Sequence, residues 1–533
     1  MKILSVVEMR EVETQADAGG LSFAQMMLNA GRAAAQIILA RIRLPESAAT
    51  DSSVRRPNDP ARIVVLAGPG NNGGDGLVCA AALSELAEQA GLPLVVQVYL
   101  LKPRPEDDPV VAMVRARSLF VADAVNDMRL RVLRQMIARA GVVVDGLLGT
   151  GTSRPIVGVL RDILSEVRAN RPPLVVALDG ATGMDYDTGG LDAAAVPADL
   201  TVTFHAPKRG HYCFPAAGAR GQLVIAPIGI ADPPGGQVFL ADGDWVRARL
   251  PARRPDANKG THGRVLVVGG CSDYSGAPAL AALAAYRIGA GLVTATVPPA
   301  VQPSVASACF EVTYAAPPGS EGILTPAALP RVQAWIAGAR DRSALLIGPG
   351  LGQAPATGEF LAELVHLLRR TPSPKLVLDA DALNLLAAAE DWYGALPAGC
   401  VLTPHPGEMA RLCASSVQEV QSDRIGQAIA RAGQWQQVVL LKGAYTVVAS
   451  PDGRAAVIPF ANPAMAVAGM GDVLAGVIAG FLAQGLSPFE AAACGAYAHA
   501  EAGERWQAQH GQAGLLASDL LPLLPDVLRS LRG

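Results

Sequence analysis

The sequence predicts an α/β protein made of two successive units, each a parallel sheet covered by helices on both faces. Three observations carry this. Short apolar runs rich in Val, Ile and Leu alternate with helical stretches. The strand-then-glycine pattern starts twice, at Arg62 and again at Arg264. The unusual polar residues stand just past the ends of those runs, where ligands bind in open parallel sheets. Half of the 533 residues are hydrophobic and 17% are charged, so the chain can bury large cores and lacks the profile of a disordered one.

The elements follow in order. Residues 8–40 read as helices, and 42–61, rich in Pro, Ser, Arg and Asp, as a loop. Arg62 to Ala67 is a buried strand running into a glycine turn, followed by a helix over 77–90 and a strand over 94–101. Residues 141–145 and 174–179 are two more strands, each ending on an aspartate. Ala231-Asp-Pro-Pro-Gly-Gly breaks the pattern. This gives a first domain over 1–230, a linker over 231–245 and a second domain over 246–533. In the second, strands begin at Arg264, Ala344, Lys375, Cys400 and Val438.

Bulk properties exclude several classes. The net charge is −3 with scattered Lys and Arg, which is no nucleic-acid footprint. Any anionic ligand must therefore be held by local geometry. The seven cysteines are far apart, with no Cys-x-x-Cys, so neither a disulfide framework nor a zinc site is expected. A reducing cytoplasm is the expected location, and early acidic charge argues against a secretory leader. The most membrane-like stretch, 465–484, carries Asp472 and several glycines and reads as a buried helix, so no membrane partner is expected.

Gly469-Met470-Gly471-Asp472 is the most informative segment. A side-chain-poor turn leads at once into an apolar helix with one carboxylate at the junction. Unpaired backbone N–H groups and the helix dipole favour an anion there. The carboxylate can take a proton from a hydroxyl. Together they suit phosphoryl transfer from a nucleotide to an alcohol. Taken alone, Asp472 is as well explained as a helix cap.

In the first half, Gly68-Pro-Gly-Asn-Asn-Gly73-Gly-Asp-Gly76 joins a strand to a helix and contains Gly-x-Gly-x-x-Gly. The acidic residue that holds a ribose is missing, since the next strand ends Tyr99-Leu-Leu-Lys102. This disfavours an ordinary nicotinamide dehydrogenase. Two Asn side chains in a turn that glycine brings close to a ligand are more specific. Asn72, Asp145 and Thr182 stand at adjacent strand ends and offer only oxygen ligands, the preference of a hard cation. Each aspartate alone fits equally well as a cap.

These motifs, with Pro207-Lys208-Arg-Gly210-His and Gly229, resemble the epimerase domain of the NAD(P)H-hydrate repair enzymes over residues 1–230. The resemblance implies a Rossmann-like three-layer domain. It implies that hydrated NADH or NADPH (NADHX, NADPHX) is held by Asn71, Asn72, Gly73, Gly74, Asp75, Gly149, Thr150, Gly151, Thr152, Ser153, Arg154, Pro155 and Asp179, with Asp179 catalytic. It also implies a potassium ion on Asn72, Asp145 and Thr182. The family's Asp-x-Pro-Ser-Gly reads Asp179-Gly-Ala-Thr-Gly here, which keeps a hydroxyl at Thr182.

The second half resembles the dehydratase domain of the same repair system over 246–533, in the ribokinase-like α/β/α fold. The matching motifs are Lys259-Gly-Thr-His-Gly263, Gly348-Pro-Gly350-Leu-Gly352, Asp379-Ala-Asp381-Ala-Leu-Asn384, Leu402-Thr-Pro-His405-Pro-Gly-Glu408, Lys442-Gly-Ala-Tyr-Thr446 and the Gly469–Asp472 turn. The resemblance implies that Lys442, Gly443, Ala444, Tyr445, Thr446 and Gly471 contact ADP or ATP, carried with Mg2+. It implies that Ala277, Gly350, Gly352, His405 and Asp472 line the hydrated nicotinamide pocket, with Asp472 as the base. Hydroxide leaves carbon 6 poorly, whereas the phosphorylated hydroxyl leaves well. A stereospecific dehydratase uses one epimer only, and an epimerase on the same chain supplies the other. The expected activity is therefore a bifunctional repair on small-molecule substrates, and the resemblance implies a homo-oligomer. The alternatives are a ribokinase-like small-molecule kinase with a nucleotide-binding partner domain, and a first half that only senses ligand.

Overall fold

The computed structural model describes residues 1–43, 61–151, 154–231, 237–319, 321–371 and 374–533. Thr152, Ser153 and all but the ends of the predicted 42–61 loop lie outside the described residues. Contacts divide the chain into Lys2–Gly236 and Gln237–Gly533, the latter taking Met1.

The first unit is a seven-stranded parallel sheet. Its strands are β1 (Ala61–Ala67), β2 (Leu94–Leu100), β3 (Phe120–Asp123), β4 (Val142–Gly146), β5 (Leu174–Leu178), β6 (Leu200–Phe204) and β7 (Gln222–Ala226). The order β3-β2-β1-β4-β5-β6-β7 reverses direction between β1 and β4, which opens a crevice at their carboxyl ends. Two core clusters, one on each face, bury Val144 and Val176 on one side and Val143 and Val175 on the other. The helix Val6–Ala18 starts on a Ser5/Glu8 capping box and helps cover the first of these clusters.

One helix starts earlier than predicted. It spans Asn71–Gln89, so Asn71-Asn72-Gly-Gly-Asp75 forms its opening turns rather than a loop. Glycine makes that start possible. A Cβ on Gly73 would lie 1.9 Å from the Gly68 carbonyl oxygen, and one on Gly74 would lie 2.6 Å from the Met27 sulfur.

The second unit is a ten-stranded mixed sheet. Its strands are β8 (Val238–Leu240), β9 (Arg264–Val268), β10 (Leu292–Thr296), β11 (Thr313–Tyr314), β12 (Ser343–Ile347), β13 (Lys375–Leu378), β14 (Val401–Leu402), β15 (Val438–Leu441), β16 (Val447–Ala449) and β17 (Ala455–Val457). The order is β11-β10-β9-β12-β13-β14-β15-β16-β17-β8, antiparallel only at β15-β16 and β16-β17. The segment expected as linker, 231–245, thus contains an edge strand, β8, parallel to β17, and the start of a helix (Gly243–Arg247) capped by Asp242. A three-residue strand is too short to show a period in sequence. Among the described residues no helix is long and apolar enough to cross a membrane.

Two glycines set the position of the Gly469–Asp472 turn. The helix Met470–Ala483 packs on the helix Ala277–Arg287 through glycines that meet its backbone closely. A Cβ on Gly476 would lie 2.2 Å from the Ala281 carbonyl oxygen, and one on Gly480 would lie 2.3 Å from Ile288 Cγ2. Gly476→Ala is expected to destabilise the second unit by about 2 kcal/mol through overpacking. A urea titration showing an unshifted transition would contradict this packing.

Candidate functional site

The carboxyl ends of β1, β4 and β5 meet at Asp145. Its Oδ1 accepts from the Thr182 hydroxyl (2.7 Å) and its Oδ2 from the Thr182 N–H (2.9 Å). The Leu148 N–H donates to Thr182 Oγ1 (3.1 Å), while Asn72 Nδ2 donates to the Leu148 carbonyl (2.8 Å). Asn72, Asp145 and Thr182 are thus stitched together through one backbone segment, all three buried. Among the described residues Asn72 Oδ1 is buried without a hydrogen-bond partner. Burial pushes the Asp145 carboxyl up, against the bonds from Thr182.

Asp179 follows β5 with a left-handed φ of +63°. Lys208 Nζ donates to its Oδ1 (2.5 Å), as does the Thr203 hydroxyl (2.9 Å). Lys208 is 1% exposed, so its ammonium is held wholly by protein. Burial raises the Asp179 carboxyl, but the Lys208 charge and hydrogen bond outweigh it and hold the group below the usual aspartate range. His211 accepts the Lys208 N–H on Nδ1 (3.0 Å), which leaves Nε2–H to donate to the Asp179 carbonyl (2.8 Å). Burial and the neighbouring Lys208 lower His211 to about 3, so the ring is neutral.

A cavity of about 610 Å³ opens over these groups, the size of a small-ligand pocket. Asn71, Asn72, Asp75, Gly149, Thr150, Gly151, Asp179 and Lys208 line it. Gly73 and Gly74 do not, since they serve the close approach described above. Arg154 and Pro155 are exposed and lie outside the lining. The sequence reading missed the part of the helix Val6–Ala18, where Arg10, Glu13 and Thr14 share the face turned to the cavity. Their i, i+3, i+4 spacing was the available signal.

In the second unit the strand-end groups converge on Lys442. Its Nζ donates to Asp379 Oδ1 (2.8 Å) and lies 3.6 Å from Glu408 Oε2. The Thr403 hydroxyl donates to the same Asp379 oxygen (2.7 Å). A Cβ on Gly471 would stand 3.4 Å from Lys442 Nζ and 3.7 Å from Asp379 Oδ2, so the glycine turn faces the pair. The helix begins on Gly469 with φ +86° and no side-chain cap. Asp472 therefore does not cap it, and the first N–H groups remain available. Burial and Asp379 push Asp472 up to about 7, against the pull of Lys442.

Of the remaining predicted residues, His405 adjoins this cluster through Glu408, and Gly443 to Thr446 follow Lys442 in the chain. Gly350, at φ +59°, brings its chain against Ala277, with 3.0 Å from a Cβ there to the Ala277 Cβ. The Gly352 N–H donates to Asp381 Oδ2 (2.9 Å), beside a cavity of about 500 Å³ that also takes in Tyr274 and Gln353. His405 caps the next helix, its Nδ1 accepting from Gly407 and Glu408 N–H, so Nε2 carries the proton on a half-exposed ring. Gly443 lies against Arg424, whose guanidinium donates to the Leu441 and Lys442 carbonyls. The Thr446 hydroxyl closes this turn on the Gly443 carbonyl (2.8 Å), Tyr445 sits at φ +51°, and Ala444 is exposed. Glu408, which no sequence argument singled out as a partner of Lys442, reaches it through the Pro406–Leu412 helix.

Comparison with known proteins gives consistent matches. Residues 23–210 match the family described as YjeF-related protein N-terminus, and residues 265–526 the family described as NAD(P)H-hydrate dehydratase. The chain is 41% identical over 484 residues to the bifunctional NAD(P)H-hydrate repair enzyme Nnr of Moorella thermoacetica, covering 88% of each chain. It is 34% identical over 542 residues to the enzyme of that name from Thermofilum pendens, covering 100% of this chain and 97% of the relative. A crystal structure of the ADP/ATP-dependent NAD(P)H-hydrate dehydratase from Bacillus subtilis, co-crystallised with ATP/Mg2+, is 33% identical. It covers 55% of this chain and 98% of its own, with a TM-score of 0.46.

The raised Asp472 has a stability signature. Its folded value is about 7 against 3.8 for a free side chain, so the folded state holds the proton more tightly. Ionising it costs the folded state, and stability falls as pH rises from about 4 through about 7. Asp472→Asn is therefore expected to raise the thermal midpoint of the second unit at pH values above about 7 and to leave it nearly unchanged near pH 4. An equal effect at both ends would contradict the assignment.

Proposed function

Because the chain belongs to the family of bifunctional NAD(P)H-hydrate repair enzymes, we propose that its two units carry the two steps of that repair. The first unit interconverts the R and S epimers of hydrated NADH and NADPH in the cavity lined by Asp179 and Lys208. The second unit dehydrates the S form, using ADP or ATP to phosphorylate the hydroxyl at carbon 6 and then expelling phosphate.

One observation carries the second assignment. Asp472 sits at an uncapped helix start facing the Lys442–Asp379 pair. A carboxyl near neutrality is suited to accept the hydroxyl proton. The N–H groups of the turn and the Lys442 ammonium suit the charge of the moving phosphoryl group. Lys442 is itself anchored by Asp379 and Glu408, which fixes its Nζ. Elimination restores the dihydropyridine ring. Mg2+, bound with the nucleotide, supplies further charge neutralisation on the phosphates.

In the first unit Asn72, Asp145 and Thr182 suit a potassium ion. The fit rests on Asn72 Oδ1, a buried oxygen with no partner, and on a donor set made only of oxygen with one carboxylate. Such an ion would neutralise Asp145 and pin the Gly149–Gly151 segment through Leu148. We place the whole activity in the cytoplasm, in a homo-oligomer, as the sequence reading expects.

Two outcomes are expected. With mixed epimers of hydrated NADH and ADP, the full chain converts all of the substrate to NADH. Asp472→Asn gives none yet still equilibrates the epimers, by chromatography. Conversion stopping at half would remove the epimerase, and dehydration by the Asn variant would remove Asp472 as base. Replacing sodium by potassium is expected to raise the thermal midpoint of the first unit, and Asp145→Asn to abolish that response. An equal midpoint in both salts would reject the ion site.

A further inference from the structure

The cavity of the first unit holds two carboxyl groups to which the account above gives no part in the chemistry, Asp75 and Glu13. Asp75 lies in the first turns of the helix Asn71–Gln89, half-buried, and its carboxyl makes no hydrogen bond or ion pair among the described residues. An unpaired carboxylate in that setting is costly, whereas the neutral acid is not. Across the same cavity Asp179 is tied to Lys208 and Thr203 through Oδ1. Two carboxyl groups thus face one cavity, one stripped of partners and the other clamped to a cation. That division is how a site assigns an acid and a base.

We propose that Asp75 is the catalytic acid of epimerisation, handing its proton to the hydroxyl at carbon 6, and that Asp179 is the base. This rests on the epimerase reading of the first unit. The step balances without any added reagent. The carbon–oxygen bond at carbon 6 breaks with its electron pair going to oxygen, which takes the Asp75 proton and leaves as water. The lone pair of the ring nitrogen forms the second bond to carbon 6, giving an iminium cation that the Asp179 carboxylate stabilises. A water molecule adds to the opposite face of carbon 6, and Asp179 takes its proton. Exchange through cavity water returns that proton to Asp75. One water leaves and one enters, and only the configuration changes.

The surroundings agree. Burial raises Asp75 well above an ordinary aspartate, and the nearby charges of Asp179 and Glu13 add to this, with Lys208 opposing. Glu13, on the helix Val6–Ala18, is raised less strongly, by burial against the pull of Lys208 and Arg10. On the helix of Asp75 itself, Cys79 is buried and its thiol is raised, partly by Asp75. His211, behind Asp179, is neutral.

The test uses the full-length chain with the R form of hydrated NADH, the epimers being separated by chromatography. Asp75→Asn is expected to lower kcat roughly 100-fold or more with KM changed less than about threefold. Asp75→Glu should recover at least a tenth of the wild-type rate. Glu13→Gln should lose at least tenfold less than Asp75→Asn. The wild-type kcat should fall at high pH as Asp75 gives up its proton, and the residual rate of the Asn variant should lack that limb. An Asn variant within about threefold of wild type, an unchanged pH limb, or a larger loss at Glu13 overturns the proposal while wild-type epimerisation stands. A Glu variant as inactive as the Asn variant also overturns it. A wild-type chain that dehydrates the S form and never converts the R form removes the epimerase reading itself, and this inference with it.

Discussion

A carboxylate drawn out of water at the end of a parallel strand needs a cation, and both units answer that need alike. Asp179 follows β5 and Asp379 follows β13. Each accepts a lysine ammonium and a threonine hydroxyl on a single oxygen, from Lys208 and Thr203 in one case and Lys442 and Thr403 in the other. Removing one partner of such a pair leaves an uncompensated buried charge, which is far more damaging than the pair's net contribution to stability. The pairs therefore fix where the neighbouring loops sit. Around the first stand the cavity and its helix of Arg10 and Glu13. Around the second stand Glu408, the Gly471 turn and Asp472.

The two units part ways in what each pair does for its neighbours. In the first, the lysine is wholly buried and serves to keep Asp179 ionised. In the second, Lys442 is partly open and reaches toward the helix start, so its charge is shared with whatever occupies the turn. The same strand-end chemistry thus holds an ionised carboxylate in one place and turns a lysine toward an uncapped helix start in the other. The elevated Asp472 arises first from its burial, with the charges of Asp379 and Asp381 adding to it.

Much of this was legible in the chain. Strand ends bearing aspartate are visible because apolar runs are short and end abruptly, and the alternation with helices dictates parallel sheets. The Gly469 turn was readable only beside the other motifs of the second half, because a lone carboxylate before an apolar helix serves as well for a cap. The pairing of Asp179 with Lys208 was not, because 29 residues separate them and only the fold brings them together. Nor was the early start of the helix at Asn71, since glycine normally argues against a helix. There the tight contact with Gly68 overrides propensity. The edge strand β8 hid in a segment too short for any pattern.

The glycine-to-backbone seam between Met470–Ala483 and Ala277–Arg287 bears on chemistry as well as packing. Side chains that meet side chains can change rotamer when a ligand arrives, whereas a helix resting directly on another helix's carbonyls has no such slack. The dipoles at its amino end are thus aimed in advance. On the proposed function, an arriving phosphoryl group would meet preorganised solvation, and little of the binding energy would go into rearrangement.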